Sequence, residues 1–232
     1  MDTVQKHKSR TAQACDTLRD WIIQARFAPG EKLRIDQLGE KLGASTGAVR
    51  EALSRLTAEG LVVAEPQRGF AVAPISRRDL KDLTDVRVHI ECLCLAETIS
   101  RGSIEWEGQL LALQHQLRAL TPSVYQPETP EAAQFHRLHN QFHTILTGLC
   151  TNTWWLRLRQ QLFWQSERYR RLSGPFDEKG RDIAAEHDAI ADAAIRRDTE
   201  AAVHHMAEHL QRTTEILLRS RILFSDEERA AE

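Results

Sequence analysis

The stretch from Asp36 to Val72 leaves this chain few choices. Two short segments with apolar residues at helical spacing meet at Gly43-Ala44-Ser45, and two β-type runs follow at once. Asp36 can cap the first segment, which carries Leu38 and Leu42 and stops at Gly43. Ser45 can cap the second, which runs to Glu59 with Val49, Ala52, Leu53 and Leu56 on one stripe, and Gly60 ends it. Leu61-Val62-Val63 and Phe70-Ala71-Val72 flank the turn-rich Glu65–Gly69 and read as a hairpin. Two helices at a tight turn with a hairpin behind them make a winged helix-turn-helix, whose second helix can enter the major groove of DNA.

Contact chemistry belongs at the N-terminal end of that second helix. Ser45, Thr46 and Gly47 offer small side chains and a cluster of backbone N–H groups suited to a phosphate or a base edge. Arg50, one turn in, has the reach for a guanine or a phosphate. Arg68 and Gly69 at the wing tip suit a backbone or minor-groove contact, the glycine permitting close approach. Arg55 reads as a surface charge. A helix pair with a hairpin is also a plain structural unit, so the pattern by itself leaves that reading open.

The flanks place this head in a longer chain. Residues 1–10 lack an apolar period and read as a flexible N-terminal arm, and the winged helix-turn-helix occupies 11–74, opening with an amphipathic helix over Thr11–Phe27. Residues 75–224 read as helix throughout: Ser76 to about Arg101, Gly102 to about Leu120, then about 131–149, 153–172, 178–196 and 199–221. A three-proline loop at 121–130 and the Ser173-Gly174-Pro175 break interrupt them, and 225–232 reads as a frayed tail. The fold class is mainly α, a winged head joined to an all-α bundle. The chain is nearly neutral, but residues 1–74 carry 11 Lys and Arg against 9 Asp and Glu, and the remainder 20 against 24. That asymmetry favours DNA at the N-terminal half. The four cysteines have no paired spacing and read as reduced, buried thiols. No charged-then-apolar leader opens the chain and no apolar run is long enough to span a bilayer, so the expected location is the cytoplasm.

Ten histidines stand out, nine of them in the helical half. His139 and His143, four apart, project from one helix face and can share a cation. The residue after the first is Asn140, so the pair lacks the glutamate of a metalloprotease helix. His187 lies on the Ile183–Ile190–Ala194 stripe, and His209 precedes the apolar Leu210. Four imidazoles from three helices would suit a divalent metal, Zn or Ni. Each histidine taken alone reads as a satisfied, partly buried side chain, as do His89, His115, His136, His204 and His205.

Two sets of residues carry a family resemblance. The run PGEKL…LGEKLGASTGAVREALSRLTAEGLVVAEPQRGFAV resembles the N-terminal signature of GntR-family regulators over about residues 18–73. It implies DNA contacts at Ser45, Thr46, Arg50, Arg68 and Gly69. The fatty-acid-regulator branch often has arginine where this chain has Thr46, so that base contact is either missing or made otherwise. The segments DVRVHIE, LHNQFHTIL, QSERYRRLS, AAEHDAI and MAEHLQRT resemble the FCD effector domain over about 76–220. That resemblance implies a metal held by an Asp and three His. His143, His187 and His209 match the histidines, while His139 replaces the Asp and brings no charge to offset a dication. It also implies a small organic acid neutralised by arginines, for which Arg87 and then Arg168 are the candidates. The stretches IEWEGQLLALQ, FHTIL and RYR are most similar to a carbon-starvation repressor subgroup responsive to glutarate, which implies a short dicarboxylate.

The leading expectation is a homodimeric repressor of operator DNA released by a carboxylate effector. The alternative is a helical metalloenzyme using the histidine cluster, and against it stands the absence of any carboxylate placed as a base or any nucleophile motif. An architectural DNA-binding protein without a ligand is the third reading, disfavoured by the inward histidines and arginines.

Overall fold

A computed structural model describes residues 9–121, 129–172, 181–219 and 223–224. Residues 1–8 of the expected arm, the body of the proline loop, the Ser173-Gly174-Pro175 break and the residues from 225 onward lie outside the described residues, while Ser9 and Arg10, assigned to the arm, cap and open the first helix. Two compact units emerge: the described residues up to Ser76 together with Glu167–Leu172, and the remainder from Arg77. Among the described residues no helix is long and apolar enough to cross a membrane.

The first unit opens with α1 (Arg10–Ile23), capped by the Ser9 hydroxyl, which accepts from the Ala12 amide. Its buried Ala14, Cys15, Leu18 and Ile22 recur at helical spacing. The helix stops short of the expected Phe27 because the backbone turns left-handed at Ala25, with φ 57°. Next come β1 (Lys32–Leu33), α2 (Ile35–Leu42), α3 (Thr46–Ala58), β2 (Val62–Glu65) and β3 (Gly69–Val72). The sheet is antiparallel in the order β1-β3-β2, with Val62 opposite Val72 and Glu65 opposite Gly69. Strand β1 is an addition to the expected hairpin, pairing Lys32 with Ala71. Asp36 does not cap α2: Arg34 stands at the cap without a side-chain bond, and Asp36 falls in the first turn. Gly43 closes α2 at φ 58°, a conformation that costs a glycine little. The core is apolar, with Leu18, Val49, Ala52, Leu53, Leu56 and Leu61 fully buried.

The second unit holds α4 (Arg77–Arg101), α5 (Ile104–Leu120), α6 (Pro130–Ile145), most of α7 (Thr153–Leu172), α8 (Ile183–Ile195) and α9 (Thr199–Arg219). Helix α4 packs on α9, α5 on α6 and α8, and α8 on α9. Ser103 caps α5 through the Trp106 amide, and the Trp106 indole donates to the Ile145 carbonyl at 2.9 Å, tying α5 to α6. Pro130, expected in the loop, is the first residue of α6, where its missing N–H costs nothing. Asp182 caps α8 by accepting from the Ala185 amide at 2.9 Å. Leu95, Leu110, Phe135, Phe142, Ile190 and Met206 form the apolar core around a polar centre.

Candidate nucleic-acid interface and candidate metal centre

The head presents its candidate residues outward. Ser45, Thr46, Gly47 and Arg50 are exposed at the start of α3, and Arg68 and Gly69 are exposed at the wing tip. The Ser45 hydroxyl accepts from the Ala48 amide at 3.2 Å and so holds the N-terminal turn. The remaining amides of that turn have no intrahelical acceptor and face outward with the positive end of the helix dipole. Arg50 and Arg68 make no ion pair among the described residues, so both charges are available. Arg55 is paired with Glu51 on the next turn, which leaves it a neutralised surface charge. The wing tip turns through Gln67 at φ 62° and Gly69 at φ 94°. Arg34, exposed ahead of α2, is a third unpaired cation that the sequence reading passed over by assigning the cap to Asp36.

In the second unit polarity points inward. His139 and His143 of α6, His187 of α8 and His209 of α9 are all buried, with one ligand atom from each lying within 4.8 Å of the others. Ring centroids are 4.6 Å apart for His139 and His143 and 4.8 Å for His187 and His209. A tetrahedral set at the usual metal–nitrogen length of about 2.0–2.1 Å needs nitrogens about 3.4 Å apart, a contraction that rotamer shifts supply. Both ring nitrogens of His143 are buried without a hydrogen-bond partner. Burial first, then the neighbouring His209 and His187 and the charges of Arg87 and Arg159, hold His143 well below its ordinary pKa. It is therefore a neutral ring with its lone pair available. The donor set fits a borderline divalent ion.

The charge that four imidazoles lack is supplied one bond further out. Glu186 Oε2 lies 2.8 Å from His209 Nδ1. Burial pushes the Glu186 carboxyl up, but hydrogen bonds from His209 and Arg181 outweigh it and hold the group at about 2. The carboxylate is ionised, so His209 donates from Nδ1 and turns the Nε2 lone pair to the cluster. Arg181 locks Glu186 with a fork at 2.9 and 2.7 Å and also donates to Thr213 at 2.9 Å. A groove of about 770 Å³ between α8 and α9 has Glu186 and His209 in its wall.

Two buried arginines flank the histidines. Arg87 donates to Ser166, lies 3.6 Å from Glu91 and sits 5.3 Å above the Phe163 ring. Arg159 donates to Glu91 at 2.8 Å and to the His143 carbonyl at 2.6 Å, with the same ring 5.6 Å away. Glu91 is fully buried between them. The sequence reading found Arg87 but missed Arg159, Glu91 and Glu186. A signal for the first existed, because Arg159, Phe163 and Ser166 stand at i, i+4 and i+7 on α7. Arg168 has a different environment. Its guanidinium donates to the carbonyls of Ala73 and Pro74 at 2.7 and 3.1 Å, within the first unit, so we reassign it away from effector binding.

Comparisons with known proteins agree with both halves. Residues 10–72 match the bacterial regulatory proteins of the gntR family, and residues 82–212 match the FCD domain. The chain is 34% identical over 200 residues to the uncharacterized HTH-type transcriptional regulator BphR of Paraburkholderia xenovorans (strain LB400), covering 86% of this chain and 82% of that one. It is 34% identical over 197 residues to the HTH-type transcriptional repressor GlaR of Escherichia coli (strain K12), covering 83% and 89%. The fold is shared with the solved structure of E. coli McbR/YncC, at a TM-score of 0.75 and 20% identity over 90% of this chain and 97% of that one.

Proposed function

The chain belongs to the GntR family of bacterial transcription regulators and carries an FCD domain, and from that we propose that it is a repressor released from operator DNA by a small carboxylate. A metalloenzyme reading falls with the membership, since these regulators are not enzymes. Glu91 and Glu186 are moreover locked in ion pairs, which leaves neither as a general base.

The reading rests on one observation: four convergent buried imidazoles flanked by the buried Arg87–Glu91–Arg159 set. Glu91 offsets only one of the two buried arginine charges, so the set keeps a net positive charge that a bound anion would balance. His139, His143, His187 and His209 would hold a divalent ion, which when bound supplies a Lewis-acidic contact for a carboxylate oxygen. Arg87 orients the other end of the acid through a planar guanidinium, and the Phe163 ring closes water away from it. A short dicarboxylate such as glutarate suits two cationic ends. The repressor role follows the named role of the GlaR relative.

At the other end, Arg50 and the amides of Ser45, Thr46 and Gly47 read the major groove, while Arg68 and Gly69 reach the flanking backbone or minor groove. Two copies of the chain would take the two half-sites of a near-palindromic operator. A role in reading DNA supports a cytoplasmic location. Effector binding would weaken operator affinity by about 1–3 kcal/mol, or about 5–150-fold. A thermal-shift screen of acetate, succinate, glutarate and citrate on the zinc-loaded protein tests the reading. A true effector at a hundred times its Kd stabilises by about 2.7 kcal/mol. A melting temperature unmoved by every acid, with no bound metal by elemental analysis, removes the sensor half of the proposal.

A further inference from the structure

The bundle matches its buried arginines to carboxylates in two different ways. Arg181 is set against a whole carboxylate, that of Glu186, through a fork of two bonds at 2.9 and 2.7 Å. Arg87 and Arg159 share one, that of Glu91. All three side chains of that set are buried, Glu91 completely. The Phe163 ring lies 5.3 Å from the Arg87 guanidinium and 5.6 Å from that of Arg159.

The sharing is uneven. Glu91 Oε2 accepts from Arg159 Nε at 2.8 Å. Oε1 lies 3.6 Å from Arg87 Nε, beyond hydrogen-bond range, and is buried without a hydrogen-bond partner. Arg159 spends a second donor on the His143 carbonyl at 2.6 Å, and Arg87 spends one on the Ser166 hydroxyl. Two guanidiniums against one carboxylate leave a surplus of a single positive charge. A buried charge without a counter-charge is costly, so the surplus favours an anion that matches it.

A carboxylate end brings one negative charge and closes that count. A fully ionised phosphate or phosphonate end brings two. Its second charge would find no unmatched guanidinium and would face Glu91 Oε1, a like charge that already lacks a donor. Juxtaposing like charges costs several kcal/mol and is a common way to reject a close competitor. Arginines alone would not discriminate, because a guanidinium fork suits phosphate as well as carboxylate.

We infer that Glu91 is a specificity-determining residue: it limits the arginine end of the site to singly charged head groups, admitting carboxylates and excluding doubly charged phosphoryl groups. This rests on the ligand-sensing reading and narrows it. The class of acid is set by a side chain that bears the ligand's own charge.

Calorimetric titration of the full-length, zinc-loaded protein with glutarate and with its diphosphonate analogue tests this. In the analogue both carboxylates are replaced on the same three-carbon chain, so whichever end meets the arginines carries two charges once the phosphonates are fully ionised. The zinc end is common to every variant, and the bulk of the phosphonate counts against it equally in each. A change in the ratio of the two affinities therefore reports the charge at the arginine end. Wild type should bind glutarate about tenfold or more tightly than the diphosphonate, the weight of one charge-assisted contact. Glu91→Gln keeps the shape and raises the surplus to two, and should move the ratio about tenfold or more toward the diphosphonate. The double variant Glu91→Gln/Arg159→Gln returns the surplus to one and should restore the preference for glutarate. If Glu91→Gln does not fold, Arg159→Gln takes its place. There the surplus is zero, glutarate should bind about tenfold more weakly, and adding Glu91→Gln should recover it.

A ratio that stays the same in wild type, Glu91→Gln and the double variant overturns the inference. So does a wild type that prefers the diphosphonate. Either result leaves the sensing reading in place, since an acid still binds. A wild type that binds neither acid removes the sensing reading itself, and the role of Glu91 with it.

Discussion

The winged head and the helical bundle solve opposite problems with the same amino acids. In the head every candidate contact is exposed, and the interior is apolar from Leu18 through Leu61. In the bundle the candidate residues are the interior: His139, His143, His187, His209, Arg87, Glu91 and Arg159 are all buried. A reader of DNA needs a stiff scaffold with chemistry on its surface. A sensor of small solutes needs chemistry that water cannot reach, and it accepts a less stable empty state to have it.

Substitution should expose that contrast. Leu53→Ala, at a fully buried position of α3, should cost about 2–5 kcal/mol in denaturant unfolding and operator binding with it. His143→Leu should do the reverse in metal-free protein, stabilising by about 1–3 kcal/mol because two unpartnered buried nitrogens disappear. A loss of stability there would break the comparison.

Acid should act on the bundle in the same sense. Burial depresses the pKa of His143 and His209 below the ordinary 6.5 in the folded chain. Below that value the unfolded chain takes up protons that the folded chain refuses, so stability falls as pH drops from 6.5 toward the folded values. The slope is at most about 1.4 kcal/mol per pH unit for each histidine. Melting of metal-free protein between pH 7 and pH 5 measures it, and a flat profile contradicts a neutral buried cluster.

Surface changes on the head should be smaller. Ser45→Ala removes the cap of α3 and should cost about 1 kcal/mol of stability. Arg55→Ala breaks only an exposed pair with Glu51 and should change stability by less than about 0.5 kcal/mol, with operator affinity unchanged.

The contrast also decides what could be read without coordinates. The head is contiguous: its caps, turn, stripe and hairpin lie within about forty residues, so local rules found them. Its errors were local too, the two-residue strand at Lys32–Leu33 being too short to show a period and the cap at Asp36 lying two residues late. The histidine cluster was legible because each ring sits on or beside a helical apolar stripe. What escaped was pairing across the fold. Glu91 and Arg159 are 68 residues apart, and nothing local tells Arg159 from the Arg157 two residues before it except the stripe to Phe163. Arg168 is an effector candidate by resemblance alone, and only the folded chain places it on the carbonyls of Ala73 and Pro74.

The central claim is a division of labour, with exposed residues of α3 reading DNA and buried imidazoles sensing. Operator titration by fluorescence anisotropy tests it most directly, using zinc-loaded wild type, Arg50→Ala and His143→Leu, each with and without glutarate. Arg50→Ala should bind about 10–100-fold more weakly with zinc content intact, the weight of one base or phosphate contact. His143→Leu should bind operator as wild type does, without zinc and without a response to the acid. Wild-type affinity in Arg50→Ala, or operator binding lost in a folded His143→Leu, would contradict the account.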